Sequence, residues 1–423
     1  MSTNNKETKR GLGRTLGLGV VTGAADDDPS AIGTYASAGA HFGTQILWIA
    51  PVVLPMMFTV VYLSSKLGQV SGRGLFHVIR DFYSRWLLWA VLVGVMIGNT
   101  IEAAADLGGM AAALGIFLPL PIPWIAAMVA VALLALQVFG SYATIRSIFR
   151  WLALALFAYI AAALLAKPDA RSVLAGTFMP SLRFDREFLS IVVAIIGTSL
   201  SAYIYTWESN QQVEEKIEEG KTRLSQRIGA SHAELRRSRR DILVGMIFSN
   251  AVMYFIIMST GVTLHANGQT EIETAAQAAE ALRPLAGAGA SVLFTVGIIG
   301  VGFLAVPVMT AGAAYDLAQS FGWAASLHAR PREAPQFYCI IAALTAIAVF
   351  LNFLGFNPMR ALVWSGIVQG FSTPPLLLLI MLMTNNRKIM GDKVNSGWIN
   401  ALGWTTTIVV FAASTVLVVT WFL

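Results

Sequence analysis

About eleven apolar stretches, each near the twenty residues a helix needs to cross a bilayer, succeed one another along the chain. Their approximate limits are 13–43, 45–65, 87–118, 121–140, 147–166, 188–213, 241–264, 288–318, 336–354, 359–383 and 398–422. Backbone amides in hydrocarbon must be satisfied within the segment, so this pattern predicts an all-α polytopic membrane protein. Composition agrees, because apolar residues fill 56% of 423 positions and charged ones only 12%, which excludes an ordinary soluble domain. A single cysteine, Cys339, excludes a disulfide framework. Five scattered histidines without an H-E-x-x-H pattern argue against a zinc hydrolase. No cofactor is expected.

With the N-terminus placed in the cytoplasm, 23 of the 29 lysines and arginines fall on the inner side. The six outside are Lys167, Arg171, Arg183, Arg186, Arg283 and Arg360. The net charge of +6 is therefore a topology signal and needs no nucleic acid to explain it. Eleven spans then put the C-terminus outside, in a multi-pass protein of the cytoplasmic membrane. "RLSQRIGASHAELRRSRRD" reads as a solvated cytoplasmic loop. The whole of 1–423 is expected to form one transmembrane domain, whose partners are the bilayer and a transported ion; nothing requires an oligomer. The polar insertion at 214–240 is expected to extend the sixth helix and begin the seventh, and "TEIETAAQAAEALR" to form a short helix at the outer surface.

Two spans are interrupted. "TGAADDDPSA" in the first and "GTSLSAYIYTWESN" in the sixth are polar, helix-poor segments five spans apart, and an odd offset means opposite orientation in the bilayer. Paired breaks of this kind point to an inverted repeat with its site near the midplane. The repeats would cover about 13–166 and 188–383, with an extra helix at about 398–422. Freed carbonyls and a carboxylate at that depth suit a cation. Of the three aspartates, Asp28 is the strongest choice. Pro29 disfavours a helical conformation at the residue before it, which places the break there. Asp26 and Asp27 stay open between pathway residues and carboxylates that cap the half-helix or face a vestibule.

"DPSAIGTYASAGA" resembles the first-helix signature of the natural-resistance-associated macrophage protein (NRAMP) metal transporters, an Asp-Pro-Gly-Asn followed nine positions on by Ala-Gly-Ala. The resemblance extends to the sixth-helix segment, to "ADLGGM" in the third span and to the count of spans. It implies the LeuT-like 5+5 inverted-repeat fold of sodium-coupled amino-acid transporters, with helices one and six broken. The family's asparagine is Ala31 here, and its sixth-helix Met-Pro-His becomes Ser201, Ala202 and Tyr203. These replacements resemble the NRAMP-related magnesium transporter branch. By this likeness Asp28 is the charged metal ligand, with the Ala25 and Thr198 carbonyls and the Ser201 hydroxyl as partners, directly or through water.

The departures carry their own chemistry. Thioethers favour softer transition metals and oxygen ligands favour magnesium, calcium and manganese, so Ser201 hardens the site, unless it is only a small residue at a helix contact. Ala31 leaves volume for a partly hydrated ion. Tyr203 in the histidine's place is a poor proton relay at neutral pH. Glu102 lies one turn before Asp106 and shares its face; the pair either guides ions and protons or packs helices. Gln369 reads either as a cavity residue or as packing, and Glu208 with Asn210 either as exit lining or as interfacial. Trp207 and Trp364 read as packing.

The expected function is therefore uptake of Mg2+ and/or Mn2+ with little or no proton coupling. The alternatives are a proton-coupled Mn2+/Fe2+ transporter and a cation-coupled transporter of small organic solutes. An intramembrane aspartyl protease is disfavoured, because "AYD" at 314–316 lacks a following Gly-x-Gly-Asp.

Overall fold

The computed structural model describes residues 18–139, 157–327 and 329–422. Every regular element among them is helical. The first span consists of two helices, α1 (Leu18–Asp26) and α2 (Pro29–Phe42), followed by α3 (Ile49–Ser71), a short α4 (Leu75–Phe82), α5 (Arg85–Leu114), α6 (Ile122–Phe139) and α7 (Phe157–Leu165). A short α8 (Ala170–Phe178) precedes the sixth span, which is again two helices, α9 (Arg186–Ser199) and α10 (Ala202–Glu218). Then come α11 (His232–Thr263), α12 (Ala290–Phe321), α13 (Pro335–Asn352), α14 (Pro358–Thr384) and α15 (Gly397–Phe422).

Among the described residues, eight segments are long and apolar enough to cross a membrane, the broken sixth span counting as one. The first span fails that measure because each half is too short alone, at 9 and 14 residues. Residues 13–17 and most of the expected fifth span lie outside the described residues. The polar insertion behaves as expected, with α10 running to Glu218 and α11 starting at His232, and the segment after 270 forms only short turns of helix, Ala275–Ala279 and Arg283–Ala286. The short α4 and α8 fall between the expected spans. Trp207 is buried, but Trp364 is 53% exposed on the outside of the bundle, so its role as packing is corrected.

Both breaks have local causes. Asp28 adopts an extended conformation (φ −70°, ψ 173°) before Pro29, which occupies the first helical position, and its side chain caps α2. At the second break Leu200 leaves the helix and Ser201 begins α10 in extended backbone (φ −63°, ψ 137°). Freed carbonyls there are met by side chains: Thr373 of α14 donates to the Leu200 carbonyl at 3.1 Å, and the Tyr205 hydroxyl also reaches it. α2 packs against α11, α14 and α9, while α5 packs against α14 and α12. The two breaks and the polar face of α5 thus meet inside the bundle.

Candidate metal centre

Asp28 is fully buried and uses both carboxylate oxygens. One accepts from the Ser30 hydroxyl and the Ala31 amide, each at 2.7 Å. The other accepts from the Tyr203 hydroxyl at 3.0 Å, while the same hydroxyl lies 2.7 Å from the Ala25 carbonyl. A phenol has one proton for these two acceptors. Tyr203 therefore spans the break in α1–α2, touching the carboxylate and the last turn of α1 together.

The wall opposite is built by α5. Asn99, Glu102 and Asp106 recur every three or four residues, which puts them on one face. Glu102 Oε1 accepts from Ser201 at 2.8 Å and lies 3.3 Å from the Ser30 hydroxyl, and its Oε2 accepts from Gln369 at 2.6 Å. Gln369 also donates to Asn99 at 3.1 Å. Asp106 accepts from the Ser30 backbone amide at 2.8 Å, leaving its second oxygen without a partner. Ser201, although placed as the cap of α10, turns its hydroxyl toward Glu102 instead of its own helix. The Gly197 and Thr198 carbonyls lie 3.1 and 3.0 Å from that hydroxyl.

Asp28, Glu102, Ser201, Thr198, Tyr203, Gln369, Ala25 and Ala31 are thus brought into one buried polar network, and Asp106 joins it through Ser30. Glu102 and Asp106 do not bond each other; both reach Ser30, which the sequence reading did not single out. Asn99 was likewise missed, although its spacing from Glu102 was a usable signal. No Lys, Arg or His side chain pairs with Asp28, Glu102 or Asp106 among the described residues. Nor do three acidic, histidine or cysteine side chains converge as a ready metal cage among those residues. The carboxylates are linked instead through hydroxyls. The chemistry available around Asp28 is one carboxylate with several carbonyls and hydroxyls, and the nearby sulfur in hydrogen-bond contact, Met253, meets Ser199 at 3.8 Å, not Asp28.

Three expectations are corrected. Asp26 and Asp27 neither cap α2 nor face water: both are buried, and the Ser249 hydroxyl of α11 lies 2.8 Å from Asp26 and 3.2 Å from Asp27. Consecutive residues point in different directions, so only Asp28 turns toward Tyr203. Glu208 is fully buried, not interfacial, and holds Thr22 of α1 at 2.6 Å and Gln212 at 3.0 Å, away from the Asp28 network. Asn210 is buried too, accepting from Gln319 at 2.6 Å.

Comparison with known proteins follows the same lines. The chain is 28% identical to the divalent metal cation transporter MntH of Bacillus subtilis over 424 residues, covering 97% of this chain and 93% of the relative. Its fold superposes on the manganese transporter of Eremococcus coleocola with a TM-score of 0.73 at 16% identity, covering 99% of this chain and 88% of that one. A sodium-coupled sialic acid symporter shares the fold more distantly, with a TM-score of 0.60 at 12% identity, covering 93% and 88% of the two chains. Residues 19–420 match the model of the natural resistance-associated macrophage protein-like (Nramp) family. The chain is a multi-pass membrane protein of the Nramp family.

Proposed function

We propose that this protein admits divalent cations, Mg2+ and/or Mn2+, inward across the cytoplasmic membrane, without an obligatory proton. The observation that carries the reading is Asp28: a fully buried carboxylate at a helix break, ringed by hydroxyls and carbonyls and faced by two further uncompensated acids. Buried anions without cationic partners are costly, and a dication offsets that cost. The relatives named as divalent metal and manganese transporters support the class of substrate. The preference for a hard, partly hydrated ion rests on Ser201 and Ala31, which present an oxygen and a methyl group. The driving force is the membrane potential. Each charge moved inward across 100 mV gains about 2.3 kcal/mol, so a dication is concentrated on the order of a thousandfold. In this reading the chain is one domain with repeats at about 13–166 and 188–383, a cytoplasmic N-terminus and an external C-terminus.

Uptake into proteoliposomes under a set potential, followed with dyes for magnesium, manganese and calcium and a lumenal pH dye, tests the reading. Entry of magnesium and manganese without acidification is expected. Manganese entry with acidification and no magnesium flux would instead assign a proton-coupled transition-metal transporter.

Tyr203 makes a separate prediction. Its hydroxyl occupies the Ala25 carbonyl and one Asp28 oxygen, both proposed ligands, so an arriving ion must displace it. Tyr203→Phe is expected to lower the half-saturating cation concentration by roughly tenfold, the equivalent of one hydrogen bond to a charged group. A rise instead would show that the hydroxyl positions Asp28 for the ion.

A further inference from the structure

We propose that Asp316 of α12 forms a second cation station on the cytoplasmic side of the break, with the Thr206 hydroxyl and the Tyr203 carbonyl of α10. The proposal rests on the metal-transport reading above and adds a step to it. Asp316 has no exposed surface, and neither carboxylate oxygen receives a hydrogen bond. The Thr206 hydroxyl is a donor that reaches toward it, but its single proton is shared with the Tyr203 carbonyl 3.1 Å away, so the carboxylate has at most this weak contact. No Lys, Arg or His pairs with Asp316 among the described residues. An unpartnered carboxylate at this depth is costly, and in membrane helices such groups mark ion pathways.

Its surroundings form a polar seam that starts at the Asp28 site. Gly312 lies one turn before Asp316 on α12, and a Cβ added there would sit 3.4 Å from the Thr206 hydroxyl and 3.8 Å from the Tyr203 carbonyl. The two helices therefore touch at this level. One turn beyond Asp316, Gln319 donates to Asn210 at 2.6 Å, and the Asn210 amide nitrogen has no partner. Gln319 in turn accepts from the His77 amide of α4 at 3.1 Å. Tyr203, Thr206 and Asn210 recur every three or four residues along α10, facing Gly312, Asp316 and Gln319 on α12. Tyr203 belongs to both places, its hydroxyl on Asp28 and its carbonyl on this seam. An ion passing Tyr203 next meets a carbonyl, a hydroxyl and a carboxylate, an oxygen set of the same hard character as the first. One carboxylate in place of three holds a dication less tightly, which suits a station that must release it.

The test is Mn2+ uptake into proteoliposomes by Asp316→Asn, Asp316→Glu and Asp28→Asn proteins, with Mn2+ binding to the solubilised proteins measured by calorimetry. Asp316→Asn is expected to lower the maximal uptake rate by about tenfold while the half-saturating external Mn2+ and the affinity at Asp28 stay within about twofold; Asp316→Glu should recover at least about half the rate. A merely structural aspartate would be replaced better by asparagine than by glutamate. Uptake by Asp316→Asn within twofold of the parent, or glutamate no better than asparagine, overturns the station. If Asp316→Asn aggregates, Thr206→Val removes a second oxygen of the same station and carries the same expectation. Failure of the underlying reading looks different: Asp28→Asn would then retain uptake and Mn2+ binding, or the parent protein would admit no Mn2+.

Discussion

Asp28→Asn is expected to lower divalent cation uptake by about a hundredfold or more while the protein still folds. Asparagine is as good a helix cap as aspartate, so the amide of Ala31 keeps an acceptor and the start of α2 is preserved. The asparagine NH2 then faces the Tyr203 hydroxyl, which keeps the Ala25 carbonyl, 2.7 Å away, as its acceptor. What disappears is the negative charge at the break. A charge-assisted contact is worth roughly 3 kcal/mol at the upper end, which is the hundredfold. Measured uptake, read beside the thermal midpoint of the purified protein, separates this from unfolding. A midpoint close to the parent's with lost uptake supports Asp28 as the charged ligand. Uptake within tenfold of the parent would move the ion to Glu102 and Asp106, and the first break would then be a hinge only.

Much of this arrangement was legible because membranes punish irregularity. An all-helical fold, a break before Pro29 and a second at Ser201 each follow from backbone groups that cannot remain unpaired in hydrocarbon. Asp28 could be chosen among three aspartates because only it precedes the proline. Periodicity placed Glu102 and Asp106 on one face of α5, but not their partners. Ser30 and Ser249 were invisible for a simple reason: a serine in an apolar helix has no signature until its neighbour across the bundle is known. Ser249 decides where Asp26 and Asp27 point, and it lies more than two hundred residues away. Glu208 misled for the opposite reason. Its polar neighbours "ESNQQ" suggest water, whereas Thr22 and Gln212 satisfy it in the interior. The glycines of α9 and α14 carried information that composition alone does not release, because a close helix crossing needs both partners.

That crossing gives the second large effect. Gly197 sits where α9 passes α14, and a Cβ added there would lie 1.9 Å from the Gly366 carbonyl oxygen and 2.4 Å from the Gly370 nitrogen. Both obstacles are backbone, so no side-chain rotation relieves them and α14 must move bodily. Gln369 and Thr373 ride on α14, and their contacts to Glu102 at 2.6 Å and to the Leu200 carbonyl at 3.1 Å tie the second break to α5. Gly197→Ala is therefore expected to cost about 3 kcal/mol, the upper end for overpacking, and to leave less than about a tenth of the parent's uptake. The loss cannot be ascribed to changing a helical glycine as such, since Gly to Ala in a helix interior normally stabilises by roughly 1 kcal/mol. Gly94 on α5 supplies the control, because a Cβ there meets nothing within 4 Å. Gly94→Ala should match or exceed the parent in thermal midpoint and leave uptake unchanged. If Gly197→Ala behaves like Gly94→Ala, then α9 and α14 are free to separate without disturbing Glu102, and the link from that crossing to the metal centre is broken.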